Sequence, residues 1–270
     1  RAHAAPHVRR RAAHAAAIAR VSAREIAVLV ADVAACTTPA TLVNPLRDRA
    51  DELDLPDAPA IRTANLLAYL AARPRPRAIL AGEAMGWRGG RFSGIAFTSE
   101  RQLAQWGAPF AASSAKSADA RGPHSGATPN ATPGETRSPR SGTAPTAAAG
   151  RTKGTATGSA FHGWTESSAT IIHGVLDELD AEHEVVLWNT VPFHPHPPGR
   201  PLANRAPKRS EVELGRPYLE RLIALLAPAD VIAVGRVAEG ALGDLATGRV
   251  RHPAQGGATQ CREGLRALLG

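Results

Sequence analysis

The 270-residue chain is poor in cysteine and in long apolar runs, and both shortages exclude function classes. Its two cysteines, Cys36 and Cys261, cannot alone build an all-cysteine zinc site, ligate a four-cysteine iron–sulfur cluster or frame a disulfide scaffold. A reducing compartment, the cytoplasm, is the simpler expectation. No apolar stretch approaches the roughly 18 residues that cross a bilayer, so no membrane partner is expected. Residues 1–20 hold five arginines, no acid and no apolar central region, which is unlike a secretory leader. Residues 111–160 contain no Val, Ile, Leu, Met, Phe, Trp or Tyr. Such a segment buries too little apolar surface to offset its ordering entropy and reads as a disordered insertion.

The charge that is present is unevenly placed. A net +8 suggests a polyanion partner such as nucleic acid. Yet residues 1–20 carry +5 and residues 111–160 carry +4, which leaves −1 for the rest of the chain. The expected organisation is an Arg/Ala-rich extension over 1–20 and a single domain over 21–270, interrupted at 111–160.

The remaining sequence alternates short apolar runs with helical patterns. Arg77–Gly82, Glu184–Asn189 and Asp230–Gly235 read as buried parallel strands, and Gly248–His252 as a weaker fourth. Helical periodicity covers Arg20–Ala35, Ala64–Ala72, Ser167–Leu179, Ser210–Leu226 and Arg236–Leu245. The predicted fold is a three-layer α/β/α sandwich around a short, mostly parallel four-stranded sheet. In such folds ligands sit beyond the carboxyl ends of the strands, so the residues there are the ones to inspect.

The first strand runs into GEAMGWRGGRFSGIAFTSE (82–100), with five glycines between Gly82 and Gly94. It lacks both the Walker ending and the dinucleotide spacing, and it is either a tight turn or a loop whose amides hold a water or an anion. The second strand ends at Asn189, which either caps a turn or reads a planar base edge, because an amide both donates and accepts. His194 and His196 follow and invite a metal reading, but no nearby Asp, Glu or Cys completes a ligand set. The last strand leads into RHPAQGG (251–257), where His252 is either structural or a general acid or electrophile fixed by Pro253.

In order and spacing, GEAMGWRGGRFSGIAFTSE, LWNTVPFHPH (187–196) and RHPAQGG resemble the uracil-DNA glycosylase superfamily, in particular its bacterial GEAPG-type members. The resemblance implies extrusion of a damaged base into a pocket and hydrolysis of its N-glycosidic bond. It implies that Phe97 stacks on uracil, that Asn189 bonds the O4 and N3 edge, and that His252 donates to O2. It also implies that Gly82, Glu83, Ala84, Met85 and Gly86 form the pocket floor and hold the water. The expected partner is uracil-containing DNA, met by a monomer without cofactor or metal.

The chain departs from the family pattern at three positions. Ala84 stands where many members have a water-orienting Asp, so a carboxylate comes from elsewhere, Glu83 being nearest in sequence unless it only bonds the loop, or the uracil anion supplies much of the electrostatic help. Met85 replaces a Pro and is expected to loosen the turn. Gly86 stands where relatives place a Tyr against uracil C5, which leaves Trp87 as the candidate for that wall. Arg205, Lys208, Arg209, Arg251, Gln255 and Gly256 are the candidate DNA contacts, with a solvated loop as the alternative for the first three. Two rival functions stay open: a catalytically weak uracil-DNA-binding protein, and an unrelated α/β metal-dependent hydrolase using His194 and His196.

Overall fold

A computed structural model describes residues 22–111, 114 and 163–270. Helix α1 (Ala23–Ala35) starts at Ser22, whose side chain accepts from the Glu25 amide while the Glu25 carboxylate accepts from the Ser22 amide. This reciprocal cap satisfies two amide donors at the helix start. The helix then buries Ile26, Leu29, Val30 and Val33, the three-and-four spacing of one apolar face. Strand β1 (Leu42–Val43) and helix α2 (Ala58–Ala71, with a proline in its first turn) follow. Next come β2 (Ala78–Ala84), the single turn α3 (Gly90–Ser93) and α4 (Glu100–Trp106). After the insertion the order is α5 (Ser167–Glu178), β3 (Val185–Val191), β4 (His194–Pro195), α6 (Arg209–Leu226) and β5 (Asp230–Val234). The chain ends with α7 (Arg236–Leu242), β6 (Gly248–Val250) and α8 (Ala258–Leu269).

The four main strands lie in the order β3-β2-β5-β6, and every pairing is parallel. The sheet is therefore wholly parallel, where the sequence leads one to expect a mostly parallel one. All seven residues of β3 are buried, as are the first five of β2. Burial on both faces explains why these strands read as unbroken apolar runs. Helix α1 packs on α2 and α6, and α5 on α8, in a three-layer α/β/α arrangement. The fourth strand is shorter than expected and stops at Val250, so His252 lies in the loop beyond it. A second sheet, unforeseen in the sequence, pairs Leu42 with Pro195 and Val43 with His194 in antiparallel fashion.

The expected extension 1–20 and most of the insertion lie outside the described residues. The expected start of that insertion needs correction, because Ala111 and Ser114 are tied to the body. The Ala111 amide donates to Asn65 Oδ1 at 2.9 Å, and the Ser114 hydroxyl donates to the Phe92 carbonyl at 2.6 Å. Among the described residues no helix is long and apolar enough to cross a membrane.

Candidate active site

One cavity of about 550 Å³ lies beyond the carboxyl ends of β2, β5 and β6. Register places Gly82 of β2 beside Asn189 of β3. A Cβ on Gly82 would stand 2.3 Å from Phe97 Cζ and 2.4 Å from Asn189 Oδ1. Glycine is thus required there by close approach, and Gly82 is where the Phe97 ring and the Asn189 amide converge. At the end of β5, Gly235 has φ +92°, and a Cβ on it would lie 3.0 Å from His252 Cβ. The Phe97 and His252 rings are 6.2 Å apart between centroids. Phe97, Asn189 and His252, far apart in the sequence, therefore form one cluster.

Phe97 holds φ +51°, a left-handed conformation that a bulky residue keeps only where its surroundings over-determine it. Those surroundings are a knot of buried hydroxyls. The Ser93 hydroxyl donates to the Thr98 carbonyl at 2.7 Å and accepts from the Ile95 amide at 3.0 Å. Thr98 Oγ1 donates to the Ala96 carbonyl at 3.0 Å and lies 3.2 Å from His173 Nε2. His173 in turn meets Glu182 at 2.5 Å. The Ser93 and Thr98 bonds hold the backbone on either side of Phe97, at Ile95, Ala96 and Thr98.

Asn189 is 2% exposed, and its Oδ1 has no hydrogen-bond partner among the described residues. Its Nδ2 donates to the Met85 thioether at 3.3 Å, a weak acceptor. An orphaned buried amide oxygen is costly, and it marks a place for a donor brought by a ligand. Met85 and Phe97, the two side chains beside this amide, line the cavity. His252 has its Nδ1 facing the Ala254 amide at 3.1 Å, and that N–H can only donate. Nδ1 is then the acceptor, and the neutral ring carries its proton on Nε2. Burial, with Arg251 adding to it, holds the His252 pKa below the ordinary 6.5 and favours that neutral form.

Two carboxyl groups line the same cavity. Glu83 is half-buried, and burial raises its pKa above the usual carboxylate range. Glu166, just before α5, is pushed by burial up to about 7. Sequence reasoning missed Glu166, along with Ser168, Asn204 and Arg236, which also line the cavity. Only Arg236 carried a signal, since it directly follows the glycine that ends β5.

The turn at Met85 is not loosened by the loss of proline. The Met85 amide donates to the Phe193 carbonyl at 3.0 Å, a bond that a proline could not make. Its carbonyl sits 2.9 Å from His194 Nδ1. Trp87 does not form the wall beside Gly86. Its ring packs edge-on against Trp164 at 4.8 Å, in a separate apolar cluster with Leu53 and Phe92, and it does not line the cavity. Among the candidate DNA contacts, Arg251 and Gln255 stand at the cavity wall, and Gly256 follows with φ +77°. Arg205 also borders the cavity, but its guanidinium is held by Glu211 at 2.6 and 2.7 Å, by Thr41 and by the His196 carbonyl. Arg209 pairs with Glu213 on the surface, and the exposed Lys208 caps α6 through its backbone amide.

The metal reading fails on its donors. Both ring nitrogens of His194 face backbone carbonyls, of Met85 at 2.9 Å and Pro201 at 3.0 Å, and His196 Nδ1 faces the Pro197 carbonyl. Among the described residues no cluster of three His, Cys, Asp or Glu could hold a metal ion. A larger cavity, about 920 Å³, is lined by Arg73, Trp106, His173 and Glu182. None of Phe97, Asn189 or His252 lines it.

Phe97, Asn189 and His252 thus cluster at one cavity beyond the strand ends of a parallel α/β/α sheet. The family model of the uracil DNA glycosylase superfamily matches residues 71–264, and the chain belongs to that superfamily. Its fold is similar to the crystal structure of wild-type SMUG2 from Pedobacter heparinus, with a TM-score of 0.52 and 13% identity over 91% of this chain and 97% of that one. No curated protein sequence matches the chain.

Proposed function

We propose that the protein is a monofunctional uracil-DNA glycosylase that acts as a monomer without a cofactor, releasing free uracil and leaving an abasic site. The observation that carries this reading is the unpartnered Oδ1 of Asn189, buried against Gly82. Uracil presents a donor at N3 and an acceptor at O4. The first satisfies Oδ1, and the second is a better acceptor for Nδ2 than the Met85 sulfur it replaces. Cytosine presents the opposite pattern and would leave the amide mismatched, which is the stronger form of rejection.

In this reading Phe97 stacks on the flipped base, and His252 Nε2–H reaches O2. As the N-glycosidic bond breaks, its electron pair passes to uracil N1 and delocalises onto O2, where a preorganised neutral donor stabilises it most in the transition state. Water adds to C1′ of the sugar. Glu83, whose raised pKa makes it a better proton acceptor, takes the proton that this water loses. Arg251 and Gln255 then face the DNA from the loop beyond β6.

The test uses labelled oligonucleotides with one uracil, single- and double-stranded, incubated with the protein in EDTA and then cleaved with alkali. Strand scission is expected. Asn189→Ala and His252→Ala are each expected to lower the rate by about 10²-fold or more, as loss of a preorganised donor does. A folded protein that binds the uracil oligonucleotide but cuts none would leave only the binder, and wild-type rates in both variants would overturn the site.

A further inference from the structure

Glu166 fills a space that two glycines leave open. A Cβ on Gly86 would lie 2.0 Å from Glu166 Oε1, and one on Gly89 would lie 2.1 Å from Oε2. No side chain could be added at either position without moving this carboxyl. It arrives from a distant part of the chain, at the entrance to α5, and lines the cavity together with Met85 and Gly86. Among the described residues nothing donates a side-chain hydrogen bond to it, and burial holds its pKa up to about 7.

The order of atoms around a pyrimidine ring says what this carboxyl faces. With O2 at His252 and N3 at Asn189 Oδ1, O4 falls at Asn189 Nδ2, beside Met85. The next ring atom is C5, and the next wall beyond Met85 is Gly86 with Glu166 over it. Resting on the uracil reading above, we propose that Glu166 is a specificity-determining residue, forming the wall that faces C5 and excluding a 5-methyl group. A hydrogen at C5 fits against the carboxyl. A methyl there either clashes or buries the carboxyl against hydrocarbon without a partner, and both outcomes reject thymine. The wall is thus built across the fold rather than by the residue at position 86, and Trp87 is turned away from it.

The experiment measures kcat/KM for matched oligonucleotides carrying uracil or thymine. It uses the wild type, Glu166→Ala, Glu166→Gln and the double variant Gly86→Ala/Glu166→Ala. Binding of the same sequences with non-hydrolysable 2′-fluoroarabino sugars is measured alongside. Glu166→Ala is expected to raise the thymine-to-uracil ratio at least about tenfold, the lower end of what one methyl is worth in a shaped pocket. Glu166→Gln keeps the shape and is expected to hold the ratio within about threefold of the wild type, well short of the effect of one methyl. In the double variant the alanine methyl occupies part of the freed space and is expected to recover part of the exclusion.

An unchanged ratio in a folded Glu166→Ala protein overturns the wall. So does a hundredfold loss of uracil release in Glu166→Gln, which would give the carboxylate a proton-transfer role instead. If the wild type releases no uracil, glycosylase activity fails, while the binding ratio still decides the wall.

Discussion

At the residue scale, the proposed reaction depends on the protonation state of one imidazole. The Ala254 amide fixes Nδ1 of His252 as the acceptor, so the donor is Nε2–H. Protonating the ring would turn Nδ1 into a donor aimed at that amide and would break the contact that orients it. Because the folded-state pKa is below 6.5, the neutral oriented ring persists on the acidic side of that value and is lost only as pH falls through the lowered pKa. Imidazole nitrogen resonances followed by NMR are expected to show the Nε2–H tautomer at pH 7 and a midpoint below 6.5. Arg251→Gln removes the cation that helps hold the value down and is expected to raise the midpoint. An Nδ1–H tautomer, or a midpoint above 6.5, would contradict the assignment of His252 as the O2 donor.

At the scale of elements, the loop that carries Gly86 and Gly89 is pinned by a buried ion cluster. Arg91 of α3 gives two parallel bonds to Asp54, at 3.0 and 2.8 Å, and its amide donates to the Gly86 carbonyl at 3.1 Å. Arg62 of α2 bonds the Arg91 carbonyl at 2.9 Å and lies 3.6 Å from the same carboxylate. Burial pushes the Asp54 pKa up, but the two guanidiniums more than offset it and hold the carboxyl below its usual range. Asp54→Ala leaves two cations uncompensated in the interior, and urea unfolding is expected to show a loss of about 3–5 kcal/mol. A loss under about 1 kcal/mol would mean that water reaches the cluster. The same loop shows what could be read in the sequence. Strands β2, β3 and β5 were legible because burial on both faces writes them as continuous apolar runs, and Asn189 and His252 because they stand at or just past the ends of such runs, whereas Phe97 was legible only through the family resemblance. The β1–β4 pairing was not, since two residues carry no periodicity. Nor was Glu166, whose contact with Gly86 and Gly89 exists only once the chain has folded, nor the direction of Trp87, which tertiary packing against Trp164 decides.

At the scale of the whole molecule, the question is where DNA affinity comes from in a basic chain that is close to neutral outside residues 1–20 and 111–160. Of the net +8, residues 1–20 hold +5 and 111–160 hold +4. The cations that line the cavity are partly committed, Arg205 to Glu211, while Arg236 and Arg251 are in no ion pair among the described residues. Non-specific attachment to the phosphate backbone scales with the number of cations that displace counterions. On the proposed function, specific attachment depends on the base entering the cavity, where Asn189, Phe97 and His252 would act without net charge. The two contributions should therefore separate on truncation. A chain lacking residues 1–21 and 115–162 keeps Ala111 and Ser114, which are bonded to the body, and is expected to unfold cooperatively. Its affinity for uracil-free duplex is expected to fall, and the slope of log K against log salt to shrink by several units, at roughly 0.9 for each phosphate no longer neutralised. Its preference for a uracil-bearing oligonucleotide over the same sequence without uracil is expected to stay within a few-fold at matched salt. Fluorescence anisotropy over a salt series reads both quantities from one titration. If the preference collapsed along with the slope, the cavity would depend on the basic segments for selection and not merely for attraction.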